Sequence, residues 1–318
     1  MCEQQAPHTT QDVAEGYLNI EQIDNVQLPE SSFLMRSDTR LLYFNPLSLP
    51  DWADAIGQDQ YGLWTEIVLE LEPKQAGDAE RVIRQRLRWI PPGRFLMGSP
   101  DDEIDRQDDE TQHPVILTEG FWLFDTTVTQ ELWQAVMDNN PSHFKGDNRP
   151  VEQVSWDQAQ EFIRTFNKTL QHAELQLPTE AQWEYACRAG TQTPFHVGDN
   201  ITPEQVNYNG NHFYADGEKG KYREETVPVK ALPCNAWGLY QMHGNVYEWC
   251  EDWFGAYPTE PQTNPTRTTE SGSQVLRGGS WINNARYVRS AYRGHGVPTA
   301  RLYGIGFRCA LVQGEHPP

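Results

Sequence analysis

No long apolar run occurs in the 318 residues, so the sequence offers no helix suited to crossing a bilayer. Basic residues are scarce: 25 Lys and Arg stand against 45 Asp and Glu, a formal charge of −20 that argues against nucleic acid as a partner. The first residues, Met-Cys-Glu-Gln-Gln-Ala-Pro-His, lack the basic stretch and apolar core of a signal peptide, which makes the cytoplasm the expected compartment. Cysteine is sparse and odd in number (Cys2, Cys187, Cys234, Cys250 and Cys309), so at least one thiol is unpaired within the chain. Hydrophobic residues make up only 37% of the sequence.

What replaces them is aromatic area, from 11 Trp, 13 Tyr and 12 Phe. With 24 Gly and 22 Pro, much of the chain must be turns and irregular loops. Residues 1–30 are polar and read as a mobile tail. An N-terminal extension follows over 31–88, with an apolar run at Leu41-Leu42-Tyr43-Phe44. Residues 64–71 and 82–90 alternate like half-buried strands around a turn at 73–78, predicting a hairpin over 63–90 that leads into the core. Three helices announce their starts. Thr129 can cap one with Leu132, Trp133, Val136 and Met137 on its apolar face, and Asn139, Asn140 and Pro141 stop it. Ser155 with Gln158, and Thr179 with Gln182, form capping boxes for the other two. Trp156, Ala159, Phe162, Ile163, Phe166 and Leu170 form the stripe of the second. Residues 101–110 hold seven carboxylates and read as a solvated acidic loop, without the spacing of an EF-hand.

The stretch around which the rest is organised runs from Arg277-Gly278-Gly279-Ser280-Trp281 to Gly306-Phe307-Arg308-Cys309. The Gly pair permits a tight turn, and residues 305–311 read as one short buried strand. Between these ends a sparse framework (Arg286, Val288, Arg289, Ser290, Tyr292, Arg293, Pro298, Arg301) is interleaved with residues of no consistent type. Those are Ile282, Asn283, Asn284, Tyr287, Gly294, His295, Gly296, Val297, Leu302, Tyr303 and Gly304. A fixed scaffold carrying irregular small, polar and aromatic side chains is the pattern of a recognition surface.

Residues 88–312 resemble the formylglycine-generating-enzyme family, also called the sulfatase-modifying-factor domain. The resemblance rests on Trp89-Ile90-Pro91-Pro92-Gly93, Phe95-Leu96-Met97-Gly98-Ser99, Arg149-Pro150-Val151 and Val154-Ser155-Trp156. It continues through Leu177-Pro178-Thr179-Glu180-Ala181-Gln182-Trp183-Glu184-Tyr185-Ala186, Val227-Pro228-Val229 and Asn235-Ala236-Trp237-Gly238-Leu239-Tyr240, then Gly244-Asn245-Val246-Tyr247-Glu248-Trp249. It implies an α+β fold related to C-type lectins, poor in regular structure, over residues 89–313.

The resemblance also sets expectations about metals. Catalytic members hold Cu(I) on two cysteines, three and eight residues after the Ser of Gly-Gly-Ser; soft Cu(I) favours such thiolates. Here those positions are Asn283 and Val288, or Arg289 when counted back from Tyr292-Arg293, so copper is not expected. Calcium is the candidate cofactor. One family site maps to Gln241, Gly244, Val246 and Glu248, with Gln241 replacing a shorter ligand; another maps to Asn207, whose acidic companion falls near Lys221, leaving Asp216 as a substitute. Cys187 and Cys309 match a disulfide of secreted members; in the cytoplasm they read as small buried core residues.

The segment 277–308 further resembles the variable proteins of diversity-generating retroelements, whose mutated Asn codons cannot reach Lys, Glu, Gln, Met or Trp. None of those five occurs from 282 to 305. The reading is therefore a non-catalytic module showing residues 282–304 to a protein or other ligand, with Ser280, Trp281, Arg286, Arg289 and Arg293 as scaffold. One rival is an enzyme using Ser280, Asn283 or His295, akin to family members of siderophore maturation; iron-dependent relatives need histidine pairs, and no His-x-x-x-His occurs. Another is an adaptor acting through residues 31–88. The oligomeric state is left open.

Overall fold

The computed structural model describes residues 49–71, 81–170 and 172–313, and the backbone of three short strands before them. These are β1 (Tyr17–Asn19), β2 (Phe33–Arg36) and β3 (Arg40–Phe44), joined in an antiparallel sheet with β3 in the middle. Most of the 1–30 tail and the turn expected at 73–78 lie outside the described residues.

The strands β4 (Ala55–Asp59), β5 (Gly62–Leu71) and β6 (Arg81–Ile90) form an antiparallel meander. Leu63, Thr65 and Ile67 of β5 face inward, as do Ile83, Gln85 and Leu87 of β6. On the outer face Arg86 lies 4.2 Å from the Trp64 ring and bonds Glu66 on the opposite strand. The inner face of this meander packs into the core, where Leu63, Ile67, Ile83 and Leu87 join Trp133 and Phe162. The meander is edge-paired into a six-stranded sheet through β6 and β9 (Phe121–Phe124), and the sheet continues to the C-terminus. A boundary at 88 therefore runs through a strand.

Strands β7 (Gly93–Met97) and β8 (His113–Leu117) flank the acidic loop. The helices start where their caps place them: α1 (Gln130–Met137) on Thr129, α2 (Trp156–Phe166) and α3 (Glu180–Arg188), the last two with complete capping boxes. Helix α2 stops before Leu170. The Asn167 side chain pairs with the backbone of Leu175 in β10 (Ala173–Gln176), donating at 3.0 Å and accepting at 2.8 Å, and so takes the chain out of the helix. Trp133 stacks on Phe162 at 5.5 Å and Phe307 meets both rings edge-on, which fixes α1 and α2 against the C-terminal segment.

A four-stranded sheet carries the segment of interest: β11 (Tyr247–Trp253), β13 (Gln274–Arg277), β14 (Gly294–Gly296) and β15 (Ile305–Gly306), in the order β14-β13-β11-β15. The short β12 (Gln262–Thr263) pairs with β8. Residues 305–311 are all buried, as expected, but they are two strands rather than one. After β15 the backbone carbonyls of Phe307 and Cys309 accept from Val128 and Phe124, and β16 (Ala310–Gln313) joins the six-stranded sheet. The segment therefore ties the two sheets together.

Candidate ligand-binding site

The site begins at Gly278 and Gly279, both at positive φ (88° and 71°). A side chain at 278 would meet the Trp183 ring at 2.9 Å, and one at 279 would meet Val288 at 2.5 Å, so the turn requires glycine. Four arginines then lock the segment from within. Arg277 bonds Glu184 and the carbonyls of Ser290, Ala291 and Tyr292. Arg289 pairs with Glu103 and with both oxygens of Glu110. Arg293 forks onto Glu180 at 2.7 and 2.9 Å and reaches the carbonyls of Asp109 and Gly255. Arg308 forks onto Glu248 at 2.7 and 2.8 Å. All four are buried. Burial alone would raise the Glu180 carboxyl, but Arg293 and then Arg277 hold it below the usual range.

Two expectations change here. The loop at 101–110 is not simply solvated, because Glu103 and Glu110 are the buried counter-charges of Arg289. A buried guanidinium requires such partners, and residues 101–110 are the densest nearby supply. Arg286, read as scaffold, is exposed and stacks on Tyr287 at 4.5 Å. Ser280, Trp281, Arg289 and Arg293 are buried; Trp281 donates to the Tyr303 carbonyl at 3.0 Å and meets Phe144 edge-on.

Above this frame lies a cavity of about 540 Å³, within the range of ligand pockets. Eight of the eleven irregular positions line it: Ile282, Asn283, Gly294, His295, Gly296, Leu302, Tyr303 and Gly304. Ile282 (44%), Leu302 (57%) and Tyr303 (45%) are largely exposed at its rim. Asn284, Tyr287 and Val297 lie outside it. Asn283 is partly structural, since its side-chain oxygen accepts from the Ser280 hydroxyl at 2.6 Å and the Ser280 amide at 3.0 Å. Gly294 fits closely where it sits, since a Cβ there would lie 3.0 Å from the Tyr247 ring. Gly304 is buried. Tyr247, Tyr292, Gln107 and Asp109 also line the wall and were missed by sequence reasoning. Tyr292 had been read as frame, and the other three lie outside the segment.

Behind the cavity the copper positions carry no thiol: Val288 is fully buried and Asn283 is held by Ser280. The Val288 carbonyl accepts from His243 Nδ1 at 2.6 Å, and His243 Nε2 accepts from the His196 amide at 3.1 Å. Burial depresses both imidazoles, His196 to about 4. Cys187 beside them and Cys309 are free and fully buried. Burial pushes the Cys187 thiol up to about 12 and Cys309 higher, which leaves both as inert thiols.

Of the oxygens assigned to calcium, Gln241 Oε1 and Asn207 Oδ1 are buried with no hydrogen-bond partner among the described residues, a state that a hard cation would satisfy. Glu248 is already engaged by Arg308 and by the Trp183 indole at 2.8 Å, so it could only share its charge. Asp216 bonds Asn200 at 3.3 Å. The neutral oxygens fit calcium; the carboxylate fits it only as a weak ligand.

Comparison with known proteins agrees with this geometry. The mouse (Mus musculus) formylglycine-generating enzyme is 29% identical over 295 residues, covering 72% of this chain and 75% of the relative. Among solved structures, Treponema denticola variable protein 1 superposes with a TM-score of 0.61 at 28% identity, covering 77% of this chain and 98% of that one. PvdO from Pseudomonas aeruginosa gives 0.62 at 28% identity, covering 71% and 94%. The domain described as sulfatase-modifying factor enzyme 1-like matches residues 73–312, and with the C-type lectin-like frame and its Gly-Gly-Ser turn in place the chain belongs to that family.

Proposed function

We propose that the protein is a non-catalytic member of this family that presents residues 282–304 to a protein ligand, in the manner of a retroelement variable protein. The observation that carries the reading is the division of labour within one segment. Its core arginines are consumed in buried ion pairs, while most of the irregular residues line one cavity, with Ile282, Leu302 and Tyr303 exposed at its rim. The absence of Lys, Glu, Gln, Met and Trp from 282–305 supports diversification through Asn codons. An enzymatic role for Ser280, Asn283 or His295 finds less support, because Ser280 bonds Asn283 and His295 rests on Phe254, 4.3 Å between rings. Calcium, held by Gln241 with the carbonyls of Gly244 and Val246 and with Glu248, or at a separate site by Asn207, would stiffen the base of the site.

The test is direct. Purified protein loaded with copper and incubated with a Cys-x-Pro-x-Arg peptide should yield no formylglycine by mass spectrometry. Copper-dependent turnover above a buffer control would overturn the reading. A genomic repeat of the coding segment for residues 281–308, differing only at adenines and lying beside a reverse transcriptase gene, is the expected accompaniment.

A further inference from the structure

The cavity is lined by charged groups of both signs, but only one of them is uncommitted. Arg293 reaches its wall, yet it is fixed to Glu180 by two bonds and to two carbonyls by two more. Arg286 and Arg301, exposed in the same segment, do not line it. Asp109 does line it. Its backbone carbonyl holds Arg293, but among the described residues no donor is bonded to its carboxylate. Tyr247, Tyr292 and Tyr303 line the same cavity, and the Asp109 charge acts on Tyr292. The hydroxyls of Tyr247 and Tyr292 bond each other, and burial raises both well away from ionisation, so these rings stay neutral.

A carboxylate beside several neutral tyrosine faces is an environment for an organic cation: the ring quadrupoles and the full negative charge act in the same direction. Building on the display reading above, we propose that the cavity takes one basic side chain, Arg or Lys, of a protein partner. Two features favour a side chain over a free small cation. The rim carries exposed Ile282 and Leu302, which a flanking peptide would cover and a buried small cation would not. The acidic surface also continues outward from Asp109 through exposed Asp108, Asp105 and Asp102, so that a basic segment would meet favourable charge before docking. Diversified positions would then choose the neighbours of the basic residue, while Asp109, outside the irregular segment, keeps the preference for positive charge.

The experiment uses the whole chain and two probes of one shape, n-butylguanidinium and neutral n-butylurea, followed by NMR shifts of the tyrosine rings. The cation should bind saturably and roughly tenfold more tightly than the urea. Asp109→Asn should melt like the parent and bind both probes alike. Equal binding to the parent, no binding of either probe, or a preference that survives Asp109→Asn would overturn the proposal. A heptapeptide display selection against the parent separates this from the display reading. Peptides sharing one Arg or Lys, lost with Asp109→Asn, would support both. Enriched peptides without a basic residue would sink the cation and leave display standing. Cation binding with no peptide enriched would point to a free ligand and sink the protein partner.

Discussion

Two sets of residues share the stretch from 277 to 308, and they differ in almost every physical respect. Arg277, Arg289, Arg293 and Arg308 have no freedom, being buried and satisfied by carboxylates from distant parts of the chain. Ile282, Leu302 and Tyr303, a few residues away, are largely exposed, Tyr303 leaning on Trp281. The difference teaches that the fold does not need the exposed side chains of the irregular set in order to form. Its constraints enter through backbone carbonyls and ion pairs, so the exposed positions can vary at little cost. The most effective way to break this contrast is to remove a frame member. Arg289→Ala would leave Glu103 and Glu110 buried without their guanidinium, Glu110 keeping only the Ser99 hydroxyl, and should cost about 3–5 kcal/mol in a urea melt. Trp281→Ala should cost roughly the same for a buried aromatic. A loss near zero for either would mean that the frame is not what holds the segment.

The frame should also show itself in acid. His243 anchors the Val288 carbonyl and His196 packs on it, rings 5.0 Å apart. Both are depressed by burial, so unfolding takes up protons that the folded state refuses. Their stabilisation is present above the unfolded value near 6.5 and is lost as the pH falls toward 4. A shift of that size is worth roughly 3 kcal/mol for His196. The melting temperature should therefore fall across that window, and His196→Leu should flatten the fall. A parent profile that is level from 6.5 to 4 would contradict this.

How much of this could be read beforehand depended on how local each signal was. Caps at Thr129, Ser155 and Thr179 act within three residues, and they were legible. The alternation of 64–71 revealed a strand, but not that it would extend the core sheet, because edge pairing is set by a partner far away in sequence. The division between frame and irregular positions was visible as pattern, and eight positions share one cavity. Asp109 and Gln107 were not visible as cavity wall. A carboxylate-rich stretch looks the same whether its charges face water or a guanidinium nearly 200 residues on; Glu103 and Arg289 are 186 apart. The switch of sheets at 307–309 was equally hidden, since burial on both sides of the break reads as one apolar run.

A smaller effect is expected from calcium, which would act on the frame side of the contrast. If Gln241 Oε1 takes the ion, chelator-stripped protein should gain about 1.4 kcal/mol at a tenfold excess over the dissociation constant. Gln241→Ala should abolish the gain. An unchanged melt at millimolar calcium would mean that Arg308 alone balances Glu248.

The smallest effect on stability should come from the positions that matter most for binding. Tyr287, His295 and Tyr303 each touch a ring of the frame or its surroundings: Tyr287 meets Tyr292 edge-on at 5.1 Å, His295 lies tilted on Phe254, and Tyr303 leans on Trp281 at 5.9 Å. None is buried, so each change to Ser should alter stability within about 0.5 kcal/mol. The same triple variant should lose any peptide selected on the parent, because aromatic anchors dominate recognition. Tyr303 and His295 line the cavity whereas Tyr287 does not, so restoring Tyr287 alone should recover nothing, and restoring Tyr303 should recover part of the binding. If the triple variant unfolded, these side chains would belong to the frame, and the separation of the two sets would fail at the residues on which display depends.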